Sequence, residues 1–321
     1  MWDKRNFDNL ALCKVIFFGV FMDYVVVDLE WNNAFDYKTK KGINEIIEIG
    51  AVRLNHNLQV VDTFKQLIKP KLSKKLSTRF VDLTGITREE ISEYGIPFDR
   101  AIADFTRWSA GDDVLFMSWS NSDLYVLVSN YRRFFGTTSV SFIKKYMDVQ
   151  KYCQNEMKIT GKDQVSLAHC AEMLNISIDD LCLHRALEDC YLEAECFKSV
   201  YNKNTVADQV SFCDEDFFAR LAYKPYLLTV PVSSYYNLYK DEFLCPVCND
   251  RMSRLSDAQV VNSAFKFVCG CKKCNKKFWM FVRARKTYDG VTLSKRAVMM
   301  NKSRAKKYLQ NNSLFNLKYI V

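Results

Sequence analysis

Two carboxylates stand two residues apart at the end of the segment Tyr24–Glu30, which reads YVVVDLE. Alternate residues of a β-strand project to the same side, so a strand here directs Asp28 and Glu30 to one point. Like charges this close repel, and proteins keep them together chiefly where a cation or a shared proton offsets the repulsion. Oxygen ligands in a polar cleft favour Mg²⁺ or Mn²⁺. Taken alone, such a pair is more often a solvated strand end.

Three further residues follow in positions that suit the same chemistry. Asp123 comes just after the apolar segment Asp113–Trp119 and opens a predicted helix, and sites in α/β sheets form at such strand-to-helix loops. An acid in a first helical turn also simply suits the helix dipole. His184 precedes Asp189 by five residues, so the two meet if His184 lies in the loop and Asp189 projects from the second turn of the next helix. A histidine there is either a general base near neutral pH or an ordinary surface side chain.

The order of these residues resembles that of the DEDDh 3′–5′ exonucleases, the family that includes RNase T, oligoribonuclease and the proofreading subunits of DNA polymerases. Asp28 and Glu30 match its first motif and Asp123 its second. His184 and Asp189 match its third motif in the histidine branch of the family. The segments LTGIT, FMSWSNSD and HRALED are most similar to those of the KapD and enhanced-RNAi (Eri-type) exonucleases.

This resemblance covers about residues 23–201 and implies an RNase H-like α/β fold, with a mixed five-stranded sheet flanked by helices. It also implies two Mg²⁺ or Mn²⁺ ions: Asp28 bridges both, Glu30 and Asp189 hold one, and Asp123 lies near the other. His184 then acts as the general base for the attacking water, and the second ion stabilises the leaving 3′ oxygen.

Five cysteines near the C-terminus indicate a second metal site. Cys245 and Cys248 form one Cys-x-x-Cys pair, and Cys271 and Cys274 form another after 22 intervening residues. Each pair presents two thiolates to one tetrahedral ion, so the spacing predicts a zinc ribbon with one structural Zn²⁺. Cys269 is an alternative ligand to Cys271, although the two-residue spacer before Cys274 makes Cys271 the better choice.

The positive charge is concentrated in the same part of the chain. Residues 241–321 contain 17 Lys/Arg against 5 Asp/Glu, whereas the rest of the chain contains 29 against 32. Such asymmetry predicts a polyanionic partner for this part, and the resemblance implies that this partner is RNA or single-stranded DNA. Trp31 is a candidate platform for a terminal base, with a place in the hydrophobic core as the alternative. The candidate phosphate contacts flank the second cysteine pair: Lys272, Lys273, Lys276 and Lys277.

The elements that must position these residues begin with three strand-like runs, Tyr24–Leu29, Glu45–Asn55 and Val60–Lys69. Helices and strands alternate after them, which predicts an α/β sheet of mixed direction. Four parts are therefore expected along the chain: an N-terminal extension (1–22), an exonuclease domain (23–204), a connector (205–240), and a basic zinc-ribbon module with a tail (241–321).

Composition narrows the class of protein. No apolar run is long enough to span a bilayer, and we expect no membrane partner. The remaining seven of the twelve cysteines are scattered singly, which favours a reducing compartment and hence the cytoplasm. The leading hypothesis is a metal-dependent 3′–5′ exonuclease that acts on single-stranded ends and favours RNA over DNA. The alternative is a non-catalytic nucleic-acid-binding or scaffold protein with an exonuclease-like fold.

Overall fold

The computed structural model divides the chain into two compact units, with the boundary between Ala222 and Tyr223. This boundary falls inside the predicted connector, and the predicted N-terminal extension lies outside the described residues except for Met22. Among the described helices, none is both long and apolar enough to cross a bilayer. The structure describes residues 22–73, 75–160, 164–177 and 184–312.

A mixed sheet forms the centre of the first unit, as predicted. Its strand order is β3-β2-β1-β4-β5-β6. β1 pairs with β4 and β4 with β5 in parallel, whereas the other pairs are antiparallel. A short sixth strand at the edge adds to the five that were expected. The strands are β1 (Asp23–Asp36), β2 (Lys41–Leu54), β3 (Val60–Leu67), β4 (Val114–Ser118), β5 (Lys145–Asp148) and β6 (Ser211–Phe212).

Helices follow the strands in the order that the sequence predicts. Thr87 caps the helix Arg88–Tyr94, because its side chain accepts a hydrogen bond from the Glu90 main-chain N–H. The helices are α1 (Thr78–Thr84), α2 (Arg88–Tyr94), α3 (Phe98–Trp108), α4 (Ser122–Phe134), α5 (Val149–Glu156), α6 (Leu167–Met173), α7 (Ala186–Val200) and α8 (Glu215–Ala222).

Strand β1 is buried on both faces. Val25 and Val27 belong to the core that includes residues of α3 and α4, whereas Tyr24 and Val26 belong to the core that includes residues of α5, α6 and α7. Because side chains alternate along a strand, Asp28 and Glu30 continue the row of Tyr24 and Val26. The sequence pattern thus points both carboxylates toward the α7 side of the sheet.

The first strand is longer than the sequence predicts. It does not end at Glu30 but continues to Asp36, with a register shift in its pairing to β2 between Glu30 and Trp31. A bulge of this kind inserts one unpaired residue and re-aims the side chains next to it. The predicted end of the strand is therefore wrong, and the carboxylate pair lies at a bulge within a long hairpin.

The second unit contains an antiparallel sheet with cores on both faces. One core includes Phe265, Phe267 and Phe278, and a smaller one includes Val268 together with residues of the last helix, α9 (Lys302–Asn312). The strand order is β12-β11-β10-β8, with β7 beside β11 and β9 beside β10. The strands are β7 (Tyr226–Leu227), β8 (Met252–Arg254), β9 (Gln259–Val261), β10 (Ala264–Cys271), β11 (Lys277–Lys286) and β12 (Val291–Met299).

Candidate active site and cysteine centre

Three carboxylates converge on the α7 side of the sheet. Oxygen atoms of Asp28, Glu30 and Asp189 all lie within 4.8 Å of one another. The first two come from β1 and the third from α7, so the sheet and the helix must pack closely to form the group. All three side chains are half-buried.

The close approach of helix and sheet depends on a glycine. At Gly50 of β2, an added Cβ atom would lie only 2.2 Å from the carbonyl carbon of Ala186 and 2.3 Å from the main-chain nitrogen of Leu187. Only glycine leaves room for the main chain of α7 at this distance. Further along the helix, the Cys190 thiol donates a hydrogen bond to the Gly50 carbonyl at 3.3 Å. Asp189 is thereby held over β1.

A buried ion pair fixes the loop that leads into α7. Glu48 is fully buried and accepts hydrogen bonds from the Arg185 guanidinium at 2.9 Å and from the Ala186 main-chain N–H at 3.2 Å. Arg185 also contacts Glu90 of α2 at 3.0 Å. Glu48 lies directly opposite Glu30 in the β1–β2 pairing. The loop is therefore tied to the strand position next to the carboxylate group.

His184 lies in the loop before α7, as the sequence predicts, and its side chain is exposed. Its backbone has a φ of +73°, in the left-handed region that non-glycine residues seldom adopt. Its main-chain N–H donates a hydrogen bond to Asp189 Oδ2 at 3.1 Å. Asp189 projects from the first turn of the helix, not the second as predicted, because the helix begins at Ala186.

Asp123 occupies the first turn of α4 at the end of β4 and is only 5% exposed. One of its oxygens accepts a hydrogen bond from the Leu29 main-chain N–H at 3.1 Å, so the side chain reaches the middle of the Asp28–Glu30 segment. The turn before it is held by the Ser120 carbonyl, which accepts a hydrogen bond from the Tyr146 hydroxyl at 2.7 Å. All four acids of the predicted cluster therefore lie on or beside the Asp28–Glu30 segment of β1.

Burial and mutual repulsion act on these carboxylates together. Burial, followed by the charges of Asp189 and Glu48, raises the pKa of Glu30 to about 8. Burial also raises the pKa of Asp123 to about 7. The pKa of Asp28 lies well above its usual range, chiefly because of burial and the charge of Asp123. An all-oxygen donor set that repels itself in this way fits hard divalent cations such as Mg²⁺ and Mn²⁺.

Glu193 is a further acid near the cluster, and none of the sequence motifs includes it. Glu193 is fully buried, and neither of its carboxylate oxygens has a hydrogen-bond partner among the described residues. Burial and the charges of Asp123 and Asp189 raise its pKa well above the usual range. Its position four residues after Asp189 places both on one face of α7, and this spacing is the signal that a search of the sequence could have used.

Trp31 contacts the hydrophobic core and is also half-buried at the surface. It lines a cleft of about 440 Å³ together with Ser120, Ser122 and Tyr125. Trp31 therefore packs against the core and also borders open space, and base stacking on it stays a prediction.

The structure brings together the four cysteines of the two Cys-x-x-Cys pairs. The sulfur atoms of Cys245 and Cys274 lie 3.6 Å apart, those of Cys248 and Cys271 lie 3.4 Å apart, and all four lie within 4.8 Å of one another. A tetrahedral ion with sulfur ligands at about 2.3 Å holds them about 3.8 Å apart, so the group fits Zn²⁺. Cys269 is not in this group, and its burial raises the pKa of its thiol to about 12.

The four candidate lysines border this cysteine centre. Lys272 and Lys273 are exposed in the turn between β10 and β11, whereas Lys276 and Lys277 are half-buried. None of the four forms an ion pair with a residue that the structure describes. Their charges are therefore available at the surface of the second unit.

The sequence matches the RNase_T exonuclease family over residues 25–197, which is more than half of the chain. The chain belongs to the RNase_T exonuclease family. The matched region contains every carboxylate of the site and His184. The cysteine centre and the strands β7–β12 lie outside it.

Two named relatives and one solved structure illustrate the similarity. The 3′–5′ exoribonuclease 1 of Mus musculus is 26% identical over 154 residues, which cover 46% of this chain and 44% of the relative. The probable 3′–5′ exonuclease KapD of Bacillus subtilis is 30% identical over 94 residues, which cover 29% of this chain and 45% of the relative. The chain thus spans less than half the length of either relative.

The solved nuclease domain of 3′hExo, a DEDDh family member bound to rAMP, aligns with 62% of this chain and 98% of its own at 20% identity and a TM-score of 0.48.

Proposed function

We propose that this chain is a divalent-metal-dependent 3′–5′ exonuclease that hydrolyses phosphodiester bonds at single-stranded nucleic-acid ends. The observation that carries the proposal is the convergence of Asp28, Glu30 and Asp189 within 4.8 Å, beside the buried Asp123, in the segment that matches an exonuclease family. This constellation has no evident structural purpose, because buried carboxylates without cations destabilise a fold.

Each residue has a distinct part in the proposed reaction. Asp28, Glu30 and Asp189 hold the first divalent ion, and Asp123 with Asp28 holds the second. When bound, the ions supply positive charge to the phosphate and its leaving oxygen. His184 accepts a proton from the attacking water at its imidazole, which is exposed at the edge of the site. Trp31 borders the neighbouring cleft, where a terminal base can stack on it.

The second unit contributes substrate affinity in this proposal. Its four gathered cysteines hold one structural Zn²⁺, and the lysines beside them contact phosphates. A preference for RNA over DNA is supported by the mammalian relatives, which are named exoribonucleases. The cysteines of the described residues are free thiols, which supports a cytoplasmic location.

The decisive experiment compares oligomers that carry a label at either end. Single- and double-stranded RNA and DNA, labelled at the 3′ or the 5′ end, are incubated with the full chain in Mg²⁺ or Mn²⁺. A 3′–5′ exonuclease releases the 3′ label at once as a mononucleotide and shortens the 5′-labelled strand stepwise. Asp28→Asn is the matched control, because it keeps the shape of the side chain and removes its charge.

Two results contradict the proposal. Tight binding of these oligomers with no hydrolysis in either metal favours the non-catalytic binding protein. Cleavage inside the strand, with the 3′ label retained on fragments of several nucleotides, indicates an endonuclease instead.

A further inference from the structure

Three strands of the second unit place a phenylalanine between two cations. In the antiparallel pairing, Lys266 of β10 lies opposite Phe281 of β11, and Phe281 lies opposite Arg296 of β12. Residues directly opposite each other point to the same side of a sheet, so the three side chains form one row. On the same side of β11, Arg283 and Arg285 follow at alternate positions. We name these five residues the Phe281 face.

Burial distinguishes this face from the opposite one. Val282 and Ala284 point into the core of the unit and are at most 1% exposed. Phe281 is half-buried, whereas Arg283, Arg285 and Arg296 are exposed. At one end of the sheet, α9 covers the row before Phe281, because Trp279 packs on Tyr308 with ring centroids 4.4 Å apart. The helix therefore covers only part of the sheet.

Two cations lie over the Phe281 ring, and Lys266 lies closer still to the ring of Trp279, with Nζ 4.3 Å from its centroid. The Arg296 guanidinium carbon is 4.8 Å from the centroid of the Phe281 ring, and Lys266 Nζ is 5.9 Å from it. Such a contact stabilises a cation over a ring by about 0.5–1 kcal/mol at an exposed site, so it is weak. Contacts this weak let both cations turn toward a phosphate and uncover the ring.

All charged residues of strands β9–β12 are positive. β9–β12 contain seven Lys/Arg and no Asp or Glu. Within the described part of the chain, none of Lys266, Arg283, Arg285 and Arg296 forms an ion pair, whereas Lys295 on the opposite side is paired with Asp241 at 2.8 Å. Cations that have no carboxylate partner and surround an aromatic ring complement an anion that also carries flat rings.

We propose that the Phe281 face binds single-stranded nucleic acid, with one base stacked on Phe281 and phosphates held by the surrounding arginines and Lys266. This inference rests on the proposed function, since it assigns to the second unit a specific binding surface for the same substrate. It adds to the lysines beside the cysteine centre a surface that the sequence does not reveal. An acidic peptide satisfies the cations but leaves the ring without a stacking partner.

The test measures binding separately from hydrolysis. In the full chain with Asp28→Asn, fluorescence anisotropy gives the affinity for a 20-nucleotide single-stranded RNA and the matching DNA at several salt concentrations. We expect Phe281→Leu to weaken binding about 5- to 100-fold, the range measured for loss of one stacked base. We expect the double variant Arg283→Gln, Arg296→Gln to reduce the salt slope by about 1.4, because two phosphate contacts are lost.

Matched controls lie in the first unit. Phe212→Leu removes an exposed ring, and Arg100→Gln with Arg107→Gln removes the same charge from α3. Both should leave affinity and salt slope unchanged. Phe281→Tyr keeps the ring and should restore binding, which separates stacking from a loss of folding, and the zinc content of every variant checks the fold of the unit.

The outcomes separate this inference from the proposed function. Unchanged affinity and salt slope in Phe281→Leu and in the double arginine variant overturn the Phe281 face while leaving the exonuclease proposal intact. Equal affinity for a polyglutamate peptide also overturns it. If the Phe281 and arginine variants bind more weakly while the parent chain hydrolyses no oligomer, the Phe281 face is supported and the exonuclease proposal is contradicted.

Discussion

The main-chain N–H of His184, rather than its ring, donates the hydrogen bond that reaches Asp189 Oδ2 at 3.1 Å. The left-handed backbone at His184 turns this N–H toward the first turn of α7 and leaves the imidazole exposed. The main chain of His184 thus orients a carboxylate of the acidic group, and its side chain stays exposed for the proton transfer that we propose.

His184→Ala should therefore lower turnover by about 10²- to 10⁴-fold, as expected for the loss of a general base, while Mn²⁺ affinity stays the same. Alanine retains both the N–H and the Cβ atom, so Asp189 keeps its hydrogen bond. Single-turnover hydrolysis and calorimetric titration with Mn²⁺ measure the two quantities. His169→Ala is the control, because that exposed ring contacts Glu172 on its own helix, α6. Near-normal turnover, or a parallel loss of Mn²⁺ binding, contradicts the assignment.

Gly50→Ala tests the contact that places α7. The added methyl group would overlap the main chain at Ala186, which lies 2.2 Å from the Cβ position. We expect destabilisation by about 1–3 kcal/mol or more and a fall in turnover of about 10²-fold, because a shift of 1 Å at a reacting group has that effect. Urea denaturation measures the stability and single-turnover hydrolysis measures the turnover.

Gly42→Ala provides the control for this variant. It makes the same change on the same strand, where the first atom that the new methyl group meets is 4.0 Å away. Equal stability and activity of the Gly50 and Gly42 variants would show that α7 does not depend on the close approach.

The acidic cluster was predictable because two local patterns in the sequence bring its members together. The alternation along β1 indicated that Asp28 and Glu30 share a side, and the loop before α7 indicated that His184 and Asp189 can meet. What the sequence could not reveal was the length of β1. The segment Trp31–Asp36, WNNAFD, contains two asparagines and an aspartate, which are depleted in strands, yet pairing with β2 extends the strand through it.

Two other features depend on contacts between segments that are distant in the sequence. Glu193 shares a face of α7 with Asp189, but only the packing of α7 on the sheet brings it beside Asp123. Phe281 and Arg296 likewise become neighbours only through the register of β11 with β12. Register follows from the packing of a whole sheet, which the sequence of two strands does not specify by itself.

The stability of the protein without Mg²⁺ or Mn²⁺ should fall as the pH rises. The pKa of Glu30 is about 8 in the folded state because of burial and Asp189, against about 4.3 in an unfolded chain. Between these values the folded state binds more protons, so the free energy of unfolding decreases with rising pH. Thermal unfolding from pH 5 to 8.5, with zinc retained, should show the melting temperature dropping by several degrees.

Neutral replacements identify the carboxylates responsible. Glu30→Gln should flatten this pH dependence, and Glu193→Gln should raise the melting temperature at pH 8, because it removes a buried acid without a hydrogen-bond partner. Glu195→Gln, two residues further along α7 and exposed, should change neither. A melting temperature that is constant with pH, or that rises with it, contradicts the strained acidic cluster.

Cys274→Ser and Cys269→Ser should separate the metal ligands from the buried thiol of the second unit. The sulfur of Cys274 lies 3.6 Å from that of Cys245 within the gathered group, whereas Cys269 is fully buried in the core outside it. Loss of one thiolate leaves three ligands, and a zinc-dependent unit loses much of its folding free energy with the ion.

We expect about one zinc per chain in the parent protein and in Cys269→Ser, and none in Cys274→Ser, by inductively coupled plasma mass spectrometry. Limited proteolysis should then cut Cys274→Ser within residues 223–312 while residues 22–222 resist. Cys269→Ser should lose stability, because a hydroxyl replaces a buried thiol, yet keep its zinc. Loss of zinc from Cys269→Ser but not from Cys274→Ser would show that the ion binds a different set of cysteines.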